Sequence, residues 1–394
     1  MGDCGMSAFR QSIGTFALVL PLTLFLGVFF IWPLLTVLEQ AVSDPVVSQN
    51  LPRTTAAIST WNRNSEPSDE MQIALVEDLK SIDDDQNLGE VVRRLNSAQP
   101  GFRTLMRKTV AAVEGSAEPT KLGEVDSRWN DPSFWRAIAE ATYPYTDRNL
   151  LAAVDLQHDA SGAIVAMPAG ESANQAILLR TFTVAAVVTV ATCLIGLPYA
   201  MLIAASSGWR RQLLLVAVLL PLWTSLLVRT AAWYILLQDK GLINSFLMSL
   251  GLFSDPLPLL FNRTGVIIAM THVLLPFMVL PIYSVLIAIP RNLMPAAASL
   301  GARPIRAFLQ ILLPLTLRGI ASGGLLVFMA ALGYYITPAL IGGPKDQMIS
   351  SVIAFYATGS ANWGMAGALG IVLLAATIVF YGVYGRLSTK TAGA

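Results

Sequence analysis

Six apolar runs dominate the chain, at about 13–38, 177–205, 212–237, 264–290, 319–342 and 365–385. Each is long enough to cross a bilayer, which takes roughly 20 apolar residues. Lipid offers the backbone no hydrogen-bond partners, so segments of this kind cross as helices that satisfy their own N–H and C=O groups. The wider composition agrees: 54% of the residues are hydrophobic and only 13% charged, against about a quarter charged in soluble domains. The expected fold class is an all-α polytopic membrane protein with six transmembrane helices.

The first run reads as a retained signal anchor. It is longer than the roughly 7–15 residues of a signal-peptide apolar region, contains Pro21 and Pro33, and is followed by no small-x-small cleavage site. The opening MGDCGM fails the myristoylation pattern, because Met6 stands where Ser or Thr is required. Cys4 and Cys193 are too few and too far apart for a disulfide framework or a metal cluster.

Basic residues set the orientation. Arg10, Arg210, Arg211, Arg291, Arg303, Arg306, Arg318, Arg386 and Lys390 fall on one side of a six-span arrangement, where Asp3 is the only acid. The segment 40–174 on the other side holds 20 of the 25 acidic residues and 12 basic ones, a balance of −8. Both termini are therefore expected in the cytoplasm, and the acidic segment in the periplasm of a bacterium. The expected divisions are a cytoplasmic N-terminus at 1–12, a first span at 13–38, an inserted domain at 39–175, a five-helix core at 176–388 and a cytoplasmic tail at 389–394. Residues 291–318 form the longest cytoplasmic segment within that core.

The insert carries helix signals. In SDEMQIALVEDLKSI, Ser68 is placed as an N-cap, with acids in the first turn and Ile73, Val76 and Leu79 on one face. In NDPSFWRAIAEA, Asp131 caps and Pro132 takes the first helical position. LQHDASGAIVAMPAG predicts a turn with extended flanks. A small, mainly helical domain follows. The run Asp83–Asp85 lacks the ligand spacing of a calcium loop and reads as solvated.

Much chemistry is missing. No phosphate-binding G-x-x-x-x-G-K-[S/T], H-E-x-x-H or C-x-x-C motif occurs, and the only histidines are His158 and His272. The cytoplasmic segments are too short for an output domain. Catalysis by this chain is not expected, and it should carry no cofactor or metal of its own.

The segment PAAASLGARPIRAFLQILLPL, Pro295–Leu315, lies between two spans. Ala296, Ala297 and Ala298 allow close approach of another surface, and Gly301 bends the chain. Pro304 suits the first turn of a new helix, in which Ile305, Phe308, Leu309 and Leu312 form an i, i+3, i+4, i+7 face. A short amphipathic helix on the membrane surface fits this pattern, as does a knob for a cytoplasmic partner. A plain positive-inside loop accounts for the arginines equally well.

This segment resembles the coupling motif of type I ABC importer permeases, the binding-protein-dependent inner-membrane components. Their pattern is E-A-A, three residues, Gly, and later I-x-L-P; here it reads PAAASLGA and then ILLP. LLPLWTSLLVRTAAWYILLQDKGLINSFLMSLGLF and VLLPFMVLPIYSVL are similar to the B-type permease of spermidine/putrescine importers, over residues 177 to 388 but barely over 40–174. The resemblance implies that Ala296, Ala297, Gly301, Ala302, Arg303, Arg306, Phe308 and Pro314 couple to an ATPase. Two copies of that cytoplasmic ATPase would hold the ATP and Mg. A homologous second permease and a periplasmic solute-binding protein would complete the system, within membrane lipid and without nucleic acid. Pro295 stands where the family has glutamate, and Arg318 where it has proline.

Counted from the outer span ends at ~1.5 Å per residue, Arg229, His272 and Tyr334 each lie ~12 Å deep. Ionisable side chains at such depth tend to face a bundle interior or an aqueous cavity. With Trp233 and Tyr335 they are the candidate pathway residues. Arg229 could equally pair structurally or snorkel, His272 could be a satisfied core residue, and the tyrosines could serve packing or an interfacial belt.

The reading is an inner-membrane permease subunit moving a small polar solute, polyamine-like by resemblance, inward by alternating access. Related permeases carry polyamines, opines, aminophosphonates, ferric iron and oxyanions. The rivals are a stand-alone secondary transporter or channel, and a membrane sensor using the insert. The spans carry no acids for ion coupling, which disfavours the first.

Overall fold

The computed structural model describes residues 19–63, 65–82, 84–114, 121–159, 163–168, 170, 172–360 and 362–392. Residues 13–18 of the first apolar run, Asp83 of the acidic run and the tip of the 156–166 turn lie outside them. The chain divides into two compact units, Met1–Leu151 and Ala152–Ala394.

In the first unit, α1 (Val19–Gln40) is apolar throughout, and Phe25, Phe29, Phe30 and Trp32 are all exposed. Its middle, Gly27–Ile31, is a π-turn. Pro33 follows two residues on; its ring would clash with the Phe29 carbonyl and it donates no hydrogen bond, so a widened turn there relieves the conflict.

After α1 comes a helical domain: α2 (Val46–Asn50), α3 (Pro52–Ser59), α4 (Asp69–Ser81), α5 (Asp85–Ala98), α6 (Phe102–Glu114) and α7 (Pro132–Ala141). The caps expected from sequence are present. Ser68 accepts from Met71 N–H, and Asp131 accepts from Ser133 N–H with Pro132 at the first position. Asp84 caps α5 in the same way. The expected face of α4 needs correction. Val76 and Leu79 are buried with Met71, Ala74 and Leu75, but Ile73 is 52% exposed, because the buried stripe runs from 71 through 75 to 78 and 79. Asp78 belongs to that stripe: its carboxylate accepts from Arg53 N–H, Thr54 N–H and the Thr54 hydroxyl, capping α3 from across the domain.

Aromatic rings fill the domain core, with Phe102, Trp129, Phe134 and Trp135 in edge-on and tilted contact. Both indoles are satisfied, Trp129 by the Thr109 hydroxyl and Trp135 by the Trp129 carbonyl. At the surface, hydrogen bonds from Arg128, and secondarily from Lys108, hold the Asp126 carboxyl well below the usual carboxylate range. Since its folded pKa is depressed, this contribution is present above the ordinary carboxylate pKa and is lost as pH falls through the folded one. The domain's two ends are stitched together. Ser43 bridges Tyr145, Asp44 N–H donates to Pro144 O at 2.9 Å, and Thr146 N–H donates to Val42 O at 2.8 Å.

The second unit opens with a hairpin, β1 (Leu156–His158) paired antiparallel to β2 (Ile164–Ala166), which supplies the extended flanks expected around this turn. Asp155 anchors it. Its carboxylate accepts from the N–H groups of Ala173, Asn174 and Gln175, so it caps α8 (Asn174–Ala205). The residue sits at φ 58°, a left-handed conformation that Asp tolerates better than most side chains.

The remaining helices are α9 (Gly208–Trp223), α10 (Leu226–Leu236), α11 (Leu242–Ser249), α12 (Arg263–Ala288), α13 (Leu293–Ser299), α14 (Pro304–Leu332), α15 (Ile336–Ile341), α16 (Ile349–Gly359) and α17 (Trp363–Ala392). Among the described residues five helices are long and apolar enough to span, and a sixth crossing would be the pair α9 and α10. The run at 212–237 is therefore not one straight span: α9 and α10 meet at an angle of 102°. Thr224 is extended and the Ser225 hydroxyl caps α10 by accepting from Val228 N–H, so the break has its own start signal. The fifth run is also displaced. Its helix begins at Pro304 and ends at Leu332, and after a break at 333–335 the run resumes as the separate α15.

The core is the mutual contact of α8, α12 and α14. Small residues allow it. A methyl on Gly323 would lie 3.0 Å from Met278 O and 3.1 Å from its Sδ, and one on Gly319 would lie 3.0 Å from the Ile282 Cα. Helices in lipid gain from such close approach because no hydrophobic effect drives them together. Gly323→Ala is expected to lower the thermal midpoint of the detergent-solubilised protein by overpacking worth roughly 1–3 kcal/mol. Gly324→Ala, whose methyl would meet Thr189 Cγ2 at an ordinary 3.7 Å, should leave that midpoint unchanged or raise it.

Candidate translocation and coupling sites

The inward face of α10 carries Leu226, Arg229, Thr230, Trp233 and Leu237, while Leu227, Val228 and Ile235 are exposed on its other side. That face meets α12 and α15. Trp233 donates its indole N–H to His272 Nδ1 at 3.1 Å, with ring centroids 5.3 Å apart. Arg229 stands one turn before Trp233 on the same face of α10, and Trp233 and Tyr334 pack against the same core. Of the five candidates, Trp233 and His272 are thus in direct contact, with Arg229 one turn from Trp233 on the same helix. Tyr335 takes the exposed N-cap position of α15, and its carbonyl accepts from Ser351 Oγ.

Of the structural alternatives for Arg229, pairing within the chain is not what the geometry gives. Its Nε and Nη1 are buried without an acceptor among the described residues. By contrast, Arg263 pairs with Asp346, and Arg180 donates to the Gln347 carbonyl.

Sequence reasoning missed the threonines. Thr230 and Thr337, both buried, lie hydroxyl to hydroxyl at 3.1 Å and tie α10 to α15, and Thr181 accepts from Ile349 N–H to tie α8 to α16. A buried hydroxyl in lipid bonds its own helix or a neighbour, so each threonine inside an apolar run was a usable but undirected signal.

The coupling segment forms in two parts. Pro295–Ala298 belongs to α13, where Pro295 sits in the first turn and costs no helix bond. The helix ends in a left-handed closure: Ala302 N–H donates to Ala297 O, Gly301 N–H donates to Ala298 O, and Gly301 has φ 81°. Arg303 then caps α14 with Pro304 at its first position.

The expected short surface helix is not separate. From Pro304 the helix continues through a π-turn at Phe308–Leu312 into the span. Pro314 explains the π-turn as Pro33 does in α1, because its ring would meet the Gln310 carbonyl. The expected apolar face is split accordingly. Ile305 is 75% exposed and Leu309 53% exposed, whereas Leu312 packs on the core and Phe308 is half-buried. Ala297 and Ala307 are buried, Ala302 is half-buried, and Ala296 and Pro314 are exposed; Arg306 reaches Gln310 at 3.1 Å. Leu300, at 89% exposed, stands at the apex of the turn.

A polytopic helical bundle with a polar cluster on the inward face of α10 and a turn between two spans fits a membrane transport component. Residues 196–393 match the family model described as binding-protein-dependent transport system inner membrane component, and the chain belongs to that family. It is 35% identical over 212 residues to the spermidine/putrescine transport system permease protein PotB of Escherichia coli (strain K12), covering 54% of this chain and 77% of that protein. To the inner membrane ABC transporter permease protein YdcU of the same strain it is 35% identical over 225 residues, covering 53% of this chain and 71% of that one. A solved chain described as a bacterial alginate ABC transporter in complex with alginate pentasaccharide-bound periplasmic protein is similar at 18% identity and TM-score 0.47, over 55% of this chain and 78% of that one. The chain is thus a permease component of an ABC transport system.

In a double-mutant cycle, Thr230→Val and Thr337→Val should show a coupling energy of about 0.6 kcal/mol, and no more than about 1.7, in the thermal stability of the solubilised protein. Additive effects would show that the hydroxyl pair contributes nothing across the helices.

Proposed function

We propose that this chain is the membrane-spanning subunit of an ATP-driven importer that carries a small polar solute from the periplasm to the cytoplasm. The observation that carries the reading is the turn at Leu293–Arg303. A helix of small residues is closed at Gly301 beside the exposed Leu300, and α14 then starts at Pro304 and runs into the span. Motion imposed on this turn is therefore delivered to a helix of the α8–α12–α14 core. With no phosphate loop of its own, the chain draws on ATP hydrolysed by two copies of a cytoplasmic ATPase, and a homologous permease forms the other half of the pathway. Alternating access is then a two-state equilibrium, biased by nucleotide on one side and a loaded binding protein on the other.

The distribution of arginines supports the orientation. Arg210, Arg211, Arg291, Arg303, Arg306 and Arg318 flank the same ends of the spans, which favours a cytoplasmic side for the termini and the coupling turn and a periplasmic side for the helical domain between α1 and α8. A polyamine-like cargo is supported by the names of the relatives. The acidic domain is read as a docking or bracing element for the binding protein or the second permease.

Two experiments test this. Gly301→Asn, which tolerates the left-handed conformation, should retain solute-stimulated ATP hydrolysis in the assembled complex. Gly301→Val should lose most of it, because a branched residue there costs at least about 1–2 kcal/mol and unwinds the closure. Equal activity of the two variants would remove the turn from coupling. Because residues 43 and 145 are bridge partners, 46–142 can be replaced by a short Gly/Ser linker without stretching the ends apart. That variant should still assemble but capture its binding protein more weakly, and the wild-type affinity should fall as salt rises, since exposed charges are screened within ~10 Å at 0.1 M.

A further inference from the structure

The cluster on α10 and α12 contains hydrogen-bond donors and almost nothing to receive them. An indole N–H can only donate, so the bond from Trp233 to His272 Nδ1 at 3.1 Å requires a lone pair on that nitrogen. The ring proton then resides on Nε2, and the exposed imidazole presents an N–H outward. Arg229 adds a permanently cationic guanidinium with five donors and no acceptor. Its Nε and Nη1 have no partner among the described residues, and α8, α9, α10, α12 and α14 contain no Asp or Glu to balance it. Tyr334, packed against the same core as Trp233, supplies a hydroxyl that also can donate. An ionised side chain at this depth is costly until something neutralises it.

We propose that this cluster is a receptor for a carboxylate borne by the transported solute, so that the cargo is a carboxylate-bearing molecule and not a bare polyamine. The inference rests on the reading of these residues as part of the pathway. A carboxylate offers acceptors in the planar geometry that a guanidinium matches, and the His272 N–H and the Tyr334 hydroxyl add further donors. An ammonium group would bring a second positive charge and more donors to a site already rich in both. The counter-charge is assigned to the solute rather than to a partner helix because Arg229 lies on the inward face of α10. The face open to a packed partner, Leu227, Val228 and Ile235, is apolar.

The test uses the complete transporter, co-expressed with its ATPase, second permease and binding protein and reconstituted with internal ATP. Uptake of putrescine is compared with uptake of ornithine, which differs from it by one carboxylate, and of 4-aminobutyrate and glutarate. Binding of the same four probes to the complex without binding protein is measured by thermal shift. The expected result is binding and uptake of at least one carboxylate and not of putrescine. Arg229→Gln should weaken that binding about tenfold or more, as loss of a charge-assisted hydrogen bond does, and Arg229→Lys should restore part of it. The Gln variant should also narrow the preference for carboxylate over diamine, a ratio that a merely structural role would not move.

The inference is overturned if putrescine is the only probe bound, if no carboxylate binds, or if Arg229→Gln leaves carboxylate binding unchanged. It is equally overturned if that variant fails to assemble with the second permease, since the acceptor would then be a partner's carboxylate. The permease reading is judged separately, by whether the wild-type complex hydrolyses ATP in response to its loaded binding protein.

Discussion

Gly319 and Gly323 bring α14 so close to α12 that added methyl groups would meet backbone atoms at about van der Waals contact or less. Everything else in the membrane unit is arranged around that approach. Lipid tails are as apolar as leucine, so nothing pushes these helices together except packing and the occasional cross-helix hydrogen bond. α8 completes the triad through Gly196, which faces Met278 and Val279. Prolines 198, 276 and 281 are tolerated inside α8 and α12 because neighbouring helices and local adjustments accommodate the freed carbonyls.

Polar side chains inside this unit fall into two groups with different physics. Most of the buried threonines bond their own helix or each other and act as ties, with Thr271 the exception. Arg229 is not satisfied, and it stands beside a histidine whose tautomer is set by a tryptophan. A charge left uncompensated in a membrane signals function more strongly than a pair does, because packing alone gives no reason to retain it.

The coupling turn shows how a departure from a family pattern is accommodated. Proline replaces glutamate at 295, but it occupies the first turn of α13, where helix N–H groups have no intrahelical acceptor. The turn's geometry rests instead on Gly301 and the two hydrogen bonds of the helix closure, neither of which involves the side chain at 295. From Pro304 the helix is continuous through the π-turn, so the turn is joined directly to a helix of the core.

Much was legible in one dimension. Apolar run length identified the spanning segments, since 1.5 Å per residue against a fixed hydrocarbon thickness leaves little choice. The caps at Ser68 and Asp131, the left-handed Gly301 and the helix start at Pro304 are local properties of one to four residues, and all were readable. Counting depth singled out Arg229, His272 and Tyr334, but the count assumed straight spans, and the runs that carry Arg229 and Tyr334 are broken before α10 and after Leu332. What sequence could not supply was direction around the helix axis and bends between apolar segments. The 102° break between α9 and α10 sits inside a run whose hydropathy does not change, and Ile73 of α4 points outward although its spacing allowed either face. The donor-rich character of the cluster and the lack of a counter-charge for Arg229 among the described residues depend on which side chains meet around α10 and α12. Only the tertiary structure decided those, because a hydrogen bond between residues 233 and 272 leaves no periodic trace in either segment.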